Sequence, residues 1–504
     1  MLYTSTRDGS VRITGSQAIV NGISKDGGLY VPSSFPKYSL NDIEAFKDLS
    51  YVDLATKILS DFLDFSKDEI NGFCKAAYSR FETDDVCPVK KIDESTYILE
   101  LFHGPTLAFK DVALTLLPHL LTAAAKKNDV KEKVLILVAT SGDTGKAALE
   151  GFKDVEGTNI IVLYPEDGVS EMQKLQMRTQ EGENVAVFGI KGNFDDAQAA
   201  VKRIFRDEKM IAALKEQGFV LSSANSINWG RLVPQIVYYF YSYGKLLAKG
   251  DINVGDEINF SVPSGNFGDI LAGYYSKKMG LPVKKLICAS NVNRVLADFF
   301  ETGVYDRNRD FFKTISPSMD ILISSNLERF LYDVSGENSG FVNEKMTALA
   351  TCGKYEIPYD LIEKAGIVGG YADEDDTKMA IDCFFDSFDY PLDTHTAVAV
   401  TVYNNYVAET GDETPTVVVA TASPYKFPAD VYDAISHENC DDAFSAIQKL
   451  HRISGVKIPD AISTLVTKQV RFNTVVDKND VDNAVLNAFK ELSLIHISEP
   501  TRPE

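Results

Sequence analysis

Residues 134–149 read Val134-Leu135-Ile136-Leu137-Val138-Ala139, then Thr140-Ser141-Gly142-Asp143-Thr144-Gly145, then Lys146-Ala147-Ala148-Leu149. The unbroken apolar run predicts a strand buried on both faces, and the small polar residues after it predict a turn. The alanine- and leucine-bearing stretch that follows predicts a helix, spanning 145–152. The same order returns at Ile258-Asn259-Phe260-Ser261-Val262-Pro263. Its turn is Ser264-Gly265-Asn266-Phe267-Gly268-Asp269 and its helix begins Ile270-Leu271-Ala272-Gly273-Tyr274. Further strand-like runs lie at 159–164, 185–190, 220–224, 285–289 and 416–420, with helical patterns at 195–216, 229–248 and 267–279. Strands alternating with helices predict βαβ units and a mostly parallel sheet. Such sheets collect ligands outside the carboxyl ends of their strands, where these turns fall.

The flanks follow a different rhythm. Residues 1–92 predict an N-terminal lobe, with a turn and short strand at Gly27-Gly28-Leu29-Tyr30-Val31-Pro32 and helices around 54–63 and 67–79. A catalytic α/β domain is expected over 93–491, interrupted at 300–390 by an inserted helical subdomain rich in acidic and irregular segments. Within it, Asp373-Glu374-Asp375-Asp376 reads as a solvated face. A last helix at 481–491 should close the fold. Residues 492–504, with two prolines and an unrelated charge pattern, read as a non-native tail.

At 504 residues the chain has room for two or three domains and a large core. A formal charge of −21 argues against wrapping nucleic acid, while leaving room for a small anion in a locally basic pocket. No stretch reaches the ~18–20 apolar residues of a membrane span, and no hydrophobic signal core follows Met1. Cys74, Cys87, Cys288, Cys352, Cys383 and Cys440 are scattered without a Cys-x-x-Cys pair. These features predict a reduced, cytoplasmic protein without membrane association. The histidines show no metal-ligand spacing, so no metal is expected.

One lysine stands out. His103-Gly104-Pro105-Thr106 forms a tight turn that delivers Lys110 to the start of a helix through Val112, Leu114 and Leu116. Leu107, Ala108 and Phe109 are apolar, so the ammonium is expected to be partly desolvated. Desolvation favours the free amine, a nucleophile suited to aldehydes. By itself a surface lysine in a first helical turn is the competing account. The two glycine-bearing turns add anion chemistry, since a small-residue turn at a helix N-terminus presents unpaired N–H groups and the positive end of the dipole. A capping turn competes for 140–145, and a structural turn for 264–269. The latter is not a dinucleotide fingerprint.

Gly104-Pro105-Thr106-Leu107-Ala108-Phe109-Lys110-Asp111 resembles the cofactor-lysine motif of threonine synthases, which are pyridoxal 5′-phosphate (PLP) enzymes. Similar likenesses occur at Gly22–Leu29, Thr140–Gly145, Asn225-Ser226-Ile227-Asn228, Gly265–Asp269, Ser316–Leu322, Asp393–Ala397 and Thr421–Phe427. The likeness therefore extends from about Thr4 to Phe427. It implies a fold type II PLP enzyme, tryptophan synthase β-like, with two mostly parallel-sheet lobes. It also implies roles. Lys110 would carry the cofactor, and Gly265, Asn266, Phe267, Gly268 and Asp269 would cradle its phosphate, Asp269 by positioning because like charges repel. Thr421 would face the pyridine nitrogen. Ser141, Asp143 and Thr144 would grip the substrate α-carboxylate. Asn225 and Arg231 are further substrate candidates, although Arg231 reads equally well as a solvated helix arginine. The family commonly has Thr-Ala-His-Pro-Ala-Lys-Phe where this chain has Ser423 and Tyr425, so a role for that histidine is lost. His395 reads as a packing histidine.

The implied reaction is conversion of O-phospho-L-homoserine and water to L-threonine and phosphate, by a monomer or weak homo-oligomer. Two other readings stay open on the residues: a phospho-lyase releasing a 2-oxo acid from the same substrate, and a non-catalytic small-molecule binding protein on the same scaffold. An intact Lys110 weighs against the second.

Overall fold

A computed structural model describes residues 1–140, 142–167, 169–440 and 442–489. The Ser141 candidate and the 492–504 tail lie outside the described residues. The described residues divide into two compact units, one made of Met1–Leu116 and Ser226–Ser463, the other of Leu117–Asn225 with the described residues from Thr464 onward.

The sheet of the first unit has six strands in the order Ile367–Tyr371, Val283–Ser290, Ile258–Pro263, Thr416–Ala420, Thr96–Glu100 and Val89–Lys91. Every neighbouring pair is parallel except the last, where Val89–Lys91 runs antiparallel along the edge. The inner strands Ile258–Pro263 and Thr416–Ala420 are buried at every residue, as an apolar run sandwiched between helices must be. The helix Trp229–Lys249 is buried from Trp229 through Gly244, so it belongs to the interior of this unit rather than its surface. Residues 1–92 lie within this unit. Their antiparallel sheet of Ile13–Thr14, Leu2–Ser5 and Tyr30–Pro32 is tied to a distant helix, since Thr6 Oγ1 donates to Glu328 Oε1 at 2.6 Å and Arg7 pairs with Glu328 at 2.8 Å.

The second unit holds a wholly parallel sheet ordered Val475–Asp477, Val185–Lys191, Thr158–Pro165, Lys133–Ala139 and Phe219–Ser222. Its core gathers Leu135, Leu137, Ile161 and Leu163 with Val481, Val485 and Phe489, so the last described helix, Val481–Asn487, closes one face.

Two features differ from the sequence reading. The helical pattern at 195–216 is two helices, Phe194–Ile204 and Glu208–Glu216. Asp207 explains the break, because its side chain accepts from the Lys209 and Met210 N–H groups and starts the second helix. The stretch 300–390 is not wholly helical, for Ile367–Tyr371 is an edge strand of the six-stranded sheet. Among the described residues no helix is long and apolar enough to cross a membrane.

Candidate active site

The lysine turn is built from local bonds. Asp111 is buried, and its carboxylate accepts from the Thr106 N–H at 2.8 Å and the Thr106 hydroxyl at 2.6 Å. Burial still pushes the Asp111 carboxyl up, to about 6, against those bonds. Gly104 must be glycine here, since a Cβ would lie 2.4 Å from Asp111 Cβ. Leu107 takes a left-handed φ of 62°, a strained conformation for a branched side chain that the surrounding bonds must hold. Lys110 begins the helix Lys110–Leu114, half-buried, with its Nζ 5.5 Å from the Phe109 ring centroid.

This turn is lashed to the end of Thr416–Ala420. Phe109 N–H donates to Thr421 O at 2.8 Å, Ser423 N–H donates to Leu107 O at 3.0 Å, and Ala108 bridges Ala422 antiparallel. Thr421 is buried, and its hydroxyl makes no hydrogen bond to another described residue. The two departures from the family pattern have structural work. Ser423 Oγ accepts from Tyr425 N–H at 3.3 Å and caps the short helix Pro424–Lys426, while the buried Tyr425 donates its hydroxyl to Val456 O at 2.5 Å.

The glycine-bearing turn after Ile258–Pro263 directs its carbonyls one way. Gly265 O accepts from Ser324 Oγ at 2.8 Å, and Asn266 O from Asn326 N–H at 3.0 Å. Phe267 is left-handed, with φ 63°, and its ring is anchored on Phe300 and Phe330 at 5.4 and 5.8 Å. The N–H groups of Gly265, Asn266, Phe267 and Gly268 are left without an acceptor among the described residues, at the N-terminus of the helix Gly268–Lys278. Successive N–H donors around a left-handed residue form a concavity for a phosphate. Asp269 lies beneath it, fully buried, with Oδ1 accepting from the Tyr238 and Tyr239 hydroxyls at 2.5 and 2.8 Å. Its carboxyl is nonetheless raised to about 6 by desolvation. Asp269 thus braces the helix start and leaves the donors to the backbone. A lysine amine, a hydroxyl and a turn of unaccepted backbone N–H groups carried by one unit are a donor set that fits PLP.

The proposed substrate residues are divided. Asp143 and Thr144 belong to the second unit, at the start of the helix Asp143–Phe152. Thr140 Oγ1 accepts from the Gly142 and Gly145 N–H groups at 3.0 and 2.9 Å and so shapes their turn. Asp143 is buried, with Gln173 Nε2 at 3.4 Å from its Oδ1, and Thr144 is half-buried. Asn225 is exposed in the same unit. Arg231 belongs to the first unit, on the first turn of Trp229–Lys249. It is buried rather than a solvated helix arginine, and desolvation lowers its guanidinium to about 10.

Sequence reasoning missed a set of residues around these. Lys110 Nζ donates to Ser318 Oγ at 3.2 Å, and Ser318 N–H donates to His395 Nε2 at 3.1 Å. Arg329, wholly buried, donates to Asn326 Oδ1, Ile227 O and Tyr30 O at 2.6, 2.6 and 2.9 Å, and Asn326 Nδ2 holds Ser226 O at 3.1 Å. Ser316–Leu322 and Asp393–Ala397 carried a family likeness, but nothing in their spacing joins them to Lys110.

Comparison with known proteins places this geometry. Residues 2–78 match the model of the threonine synthase N terminus, 89–422 that of pyridoxal-phosphate dependent enzymes, and 396–485 that of the threonine synthase C-terminal region. The threonine synthase of Schizosaccharomyces pombe is 36% identical over 86% of this chain and 89% of its own length. Threonine synthase-like 1 of Macaca fascicularis is 38% identical over 86% of this chain, which spans only 59% of that protein. The crystal structure of PLP-bound threonine synthase from Brucella melitensis superposes with a TM-score of 0.86 at 36% identity, covering 97% of this chain and all, 100%, of that one. The mostly parallel six-stranded sheet and the parallel five-stranded sheet are therefore those of a fold type II PLP enzyme, with the lysine turn and the glycine-bearing turn both carried by the first unit, and the chain belongs to the threonine synthase family.

Proposed function

We propose that this chain converts O-phospho-L-homoserine and water to L-threonine and phosphate, with PLP as cofactor. One observation carries the reading: the Lys110 turn is bonded to the Thr421 strand end within the unit that also holds the unaccepted N–H groups of 265–268. Lys110 is the attachment point for the cofactor. The backbone of Gly265, Asn266, Phe267 and Gly268 holds its phosphate, and Asp269 steadies the helix that presents them. The Thr421 hydroxyl would be the partner of the ring nitrogen. When bound, the cofactor supplies an electron sink for the substrate α-carbon, a weaker one opposite a hydroxyl than opposite a carboxylate.

The protein's own work is positioning and proton transfer. With the cofactor bound, the amine of Lys110 would be the base that takes the proton at the substrate Cα and then acts at Cβ. Asp143 and Thr144, at a helix N-terminus, orient the α-carboxylate; Ser141 is a further candidate for it, and Asn225 and Arg231 are further substrate contacts. Phosphate would leave Cγ as a Cβ proton is taken, Cγ would gain a proton to become the methyl group, the oxygen of water would add at Cβ, and Cα would regain its proton. The net charge of −21 supports a small-molecule enzyme with no nucleic-acid partner. We place it in the cytoplasm as a monomer or weak homo-oligomer.

The test is chemical. Borohydride reduction followed by peptide mass mapping should find PLP on Lys110, and NMR should find L-threonine and phosphate in equal amounts. Lys110→Ala should lose more than the ~10²–10⁴-fold that general acid–base catalysis alone accounts for, because the attachment point goes too. Label on another lysine, or a 2-oxo acid as the main product, would overturn the reading.

A further inference from the structure

We propose that Ser318 is a positioning residue for the Lys110 amine, and that Asp393 and His395 hold Ser318 in place. The inference rests on the reading of Lys110 given above. A lysine side chain has four flexible bonds, so its nitrogen needs an external partner to stay in one place. Ser318 Oγ, accepting from Lys110 Nζ at 3.2 Å, is such a partner.

Ser318 in turn is gripped from both sides. Its N–H can only donate, so His395 Nε2 accepts, and the ring proton resides on Nδ1. That proton points at Asp393 Oδ1, 3.0 Å away. Asp393 is buried and caps the helix Thr394–Thr410, accepting from the His395 and Thr396 N–H groups at 2.9 and 3.3 Å and from the Thr396 hydroxyl. The histidine is thereby a neutral, oriented acceptor fixed to a helix start. On the other side, Asp320 accepts from Asn291 Nδ2, Asn293 Nδ2 and the Thr314 hydroxyl and N–H, at 2.8, 3.1, 2.8 and 2.9 Å. Both asparagines are buried just past the strand Val283–Ser290. The turn is thus clamped on one side by the buried Asp393–His395 pair and on the other by the half-buried Asp320.

Ser318 also meets the phosphate cradle. A Cβ on Gly265 would lie 2.6 Å from Ser318 O. The hydroxyl of this one residue touches the reacting amine while its carbonyl abuts the anion turn, so the two ends of the cofactor site share a support.

The experiment follows PLP attachment to the cofactor-stripped full chain by mass after rapid reduction, beside kcat and KM. In Ser318→Ala, PLP should still attach to Lys110, but about tenfold more slowly, the effect of one uncharged hydrogen bond. The same loss should appear in kcat with KM little changed, and Ser318→Thr should restore most of it. His395→Leu should resemble Ser318→Ala, whereas His395→Gln, whose amide oxygen can accept from the Ser318 N–H, should stay near the parent. Unchanged attachment and kcat in Ser318→Ala would overturn the proposal, as would His395→Gln and His395→Leu being equally impaired. Failure of the parent chain to take PLP on Lys110 would instead remove the functional reading beneath it.

Discussion

Replacing Gly265 by alanine tests the cradle most directly. The added Cβ would sit 2.6 Å from Ser318 O, whereas a carbon–oxygen contact relaxes at about 3.3–3.6 Å, a shortfall of roughly 0.7–1.0 Å. Neither side yields freely. Ser318 is tied to His395 and Lys110, and Gly265 O to Ser324 Oγ. Overpacking of this kind costs about 1–3 kcal/mol. If the displacement falls on the N–H groups that hold phosphate, PLP affinity drops by about 5- to 150-fold at 1.4 kcal/mol per decade. Equilibrium dialysis of the cofactor-stripped chain against PLP reads the affinity, and thermal melting without PLP reads the cost to the fold. Parent-like affinity together with parent-like melting would show that the turn is not the phosphate cradle and that Ser318 does not crowd it.

Two further outcomes are expected. Thr421→Val keeps the shape and removes the hydroxyl, so activity should fall by the ~0.5–1.5 kcal/mol of one hydrogen bond; Thr421→Asp should instead favour a protonated ring nitrogen, alter the absorption spectrum and release side products, and identical spectra and product ratios in both variants would place Thr421 away from the ring. At Asp269, burial raises the carboxyl from 3.8 to about 6, so the folded chain holds that proton more tightly than the unfolded chain. Its contribution to stability is complete below pH ~4 and is lost as pH rises through about 6. Asp269→Asn keeps an acceptor for the tyrosines and cannot ionise. The melting-temperature difference, variant minus parent, should therefore grow between pH 4.5 and pH 7, and a difference independent of pH would sink this account.

The strand–turn–helix order could be read in advance because its strands are apolar on both faces and their turns are chemically distinct. Residues 134–138 and Thr416–Ala420 are buried throughout. The strand Ile367–Tyr371 escaped because Gly369 and Gly370 weaken any strand pattern. Their reason is three-dimensional: a Cβ would lie 2.5 Å from Ala297 O at the first and 2.5 Å from Val402 Cγ1 at the second. The helix break at Asp207 escaped because apolar spacing continues across it, and only the cap marks the restart.

The site divides along the same line. The Lys110 turn and the 265–268 turn were legible in advance by their likeness to family motifs and by local features: a nucleophile beside the turn that bends it, and glycines beside a helix start. Ser318 and His395 were not. The bond from Lys110 to Ser318 spans 208 positions, and that from Ser318 to His395 spans 77. Serine and histidine in isolation have many ordinary uses, and only a fold that returns both segments to the lysine gives them a function. The chain's own departures follow this logic. Where relatives commonly place a histidine, Ser423 caps a short helix and Tyr425 is buried with its hydroxyl on Val456 O. That segment therefore offers no imidazole, and the imidazole the structure does place within reach of the lysine's partner comes from His395. His395 reaches the Lys110 amine through the Ser318 backbone, a path whose geometry allows positioning and no direct proton transfer.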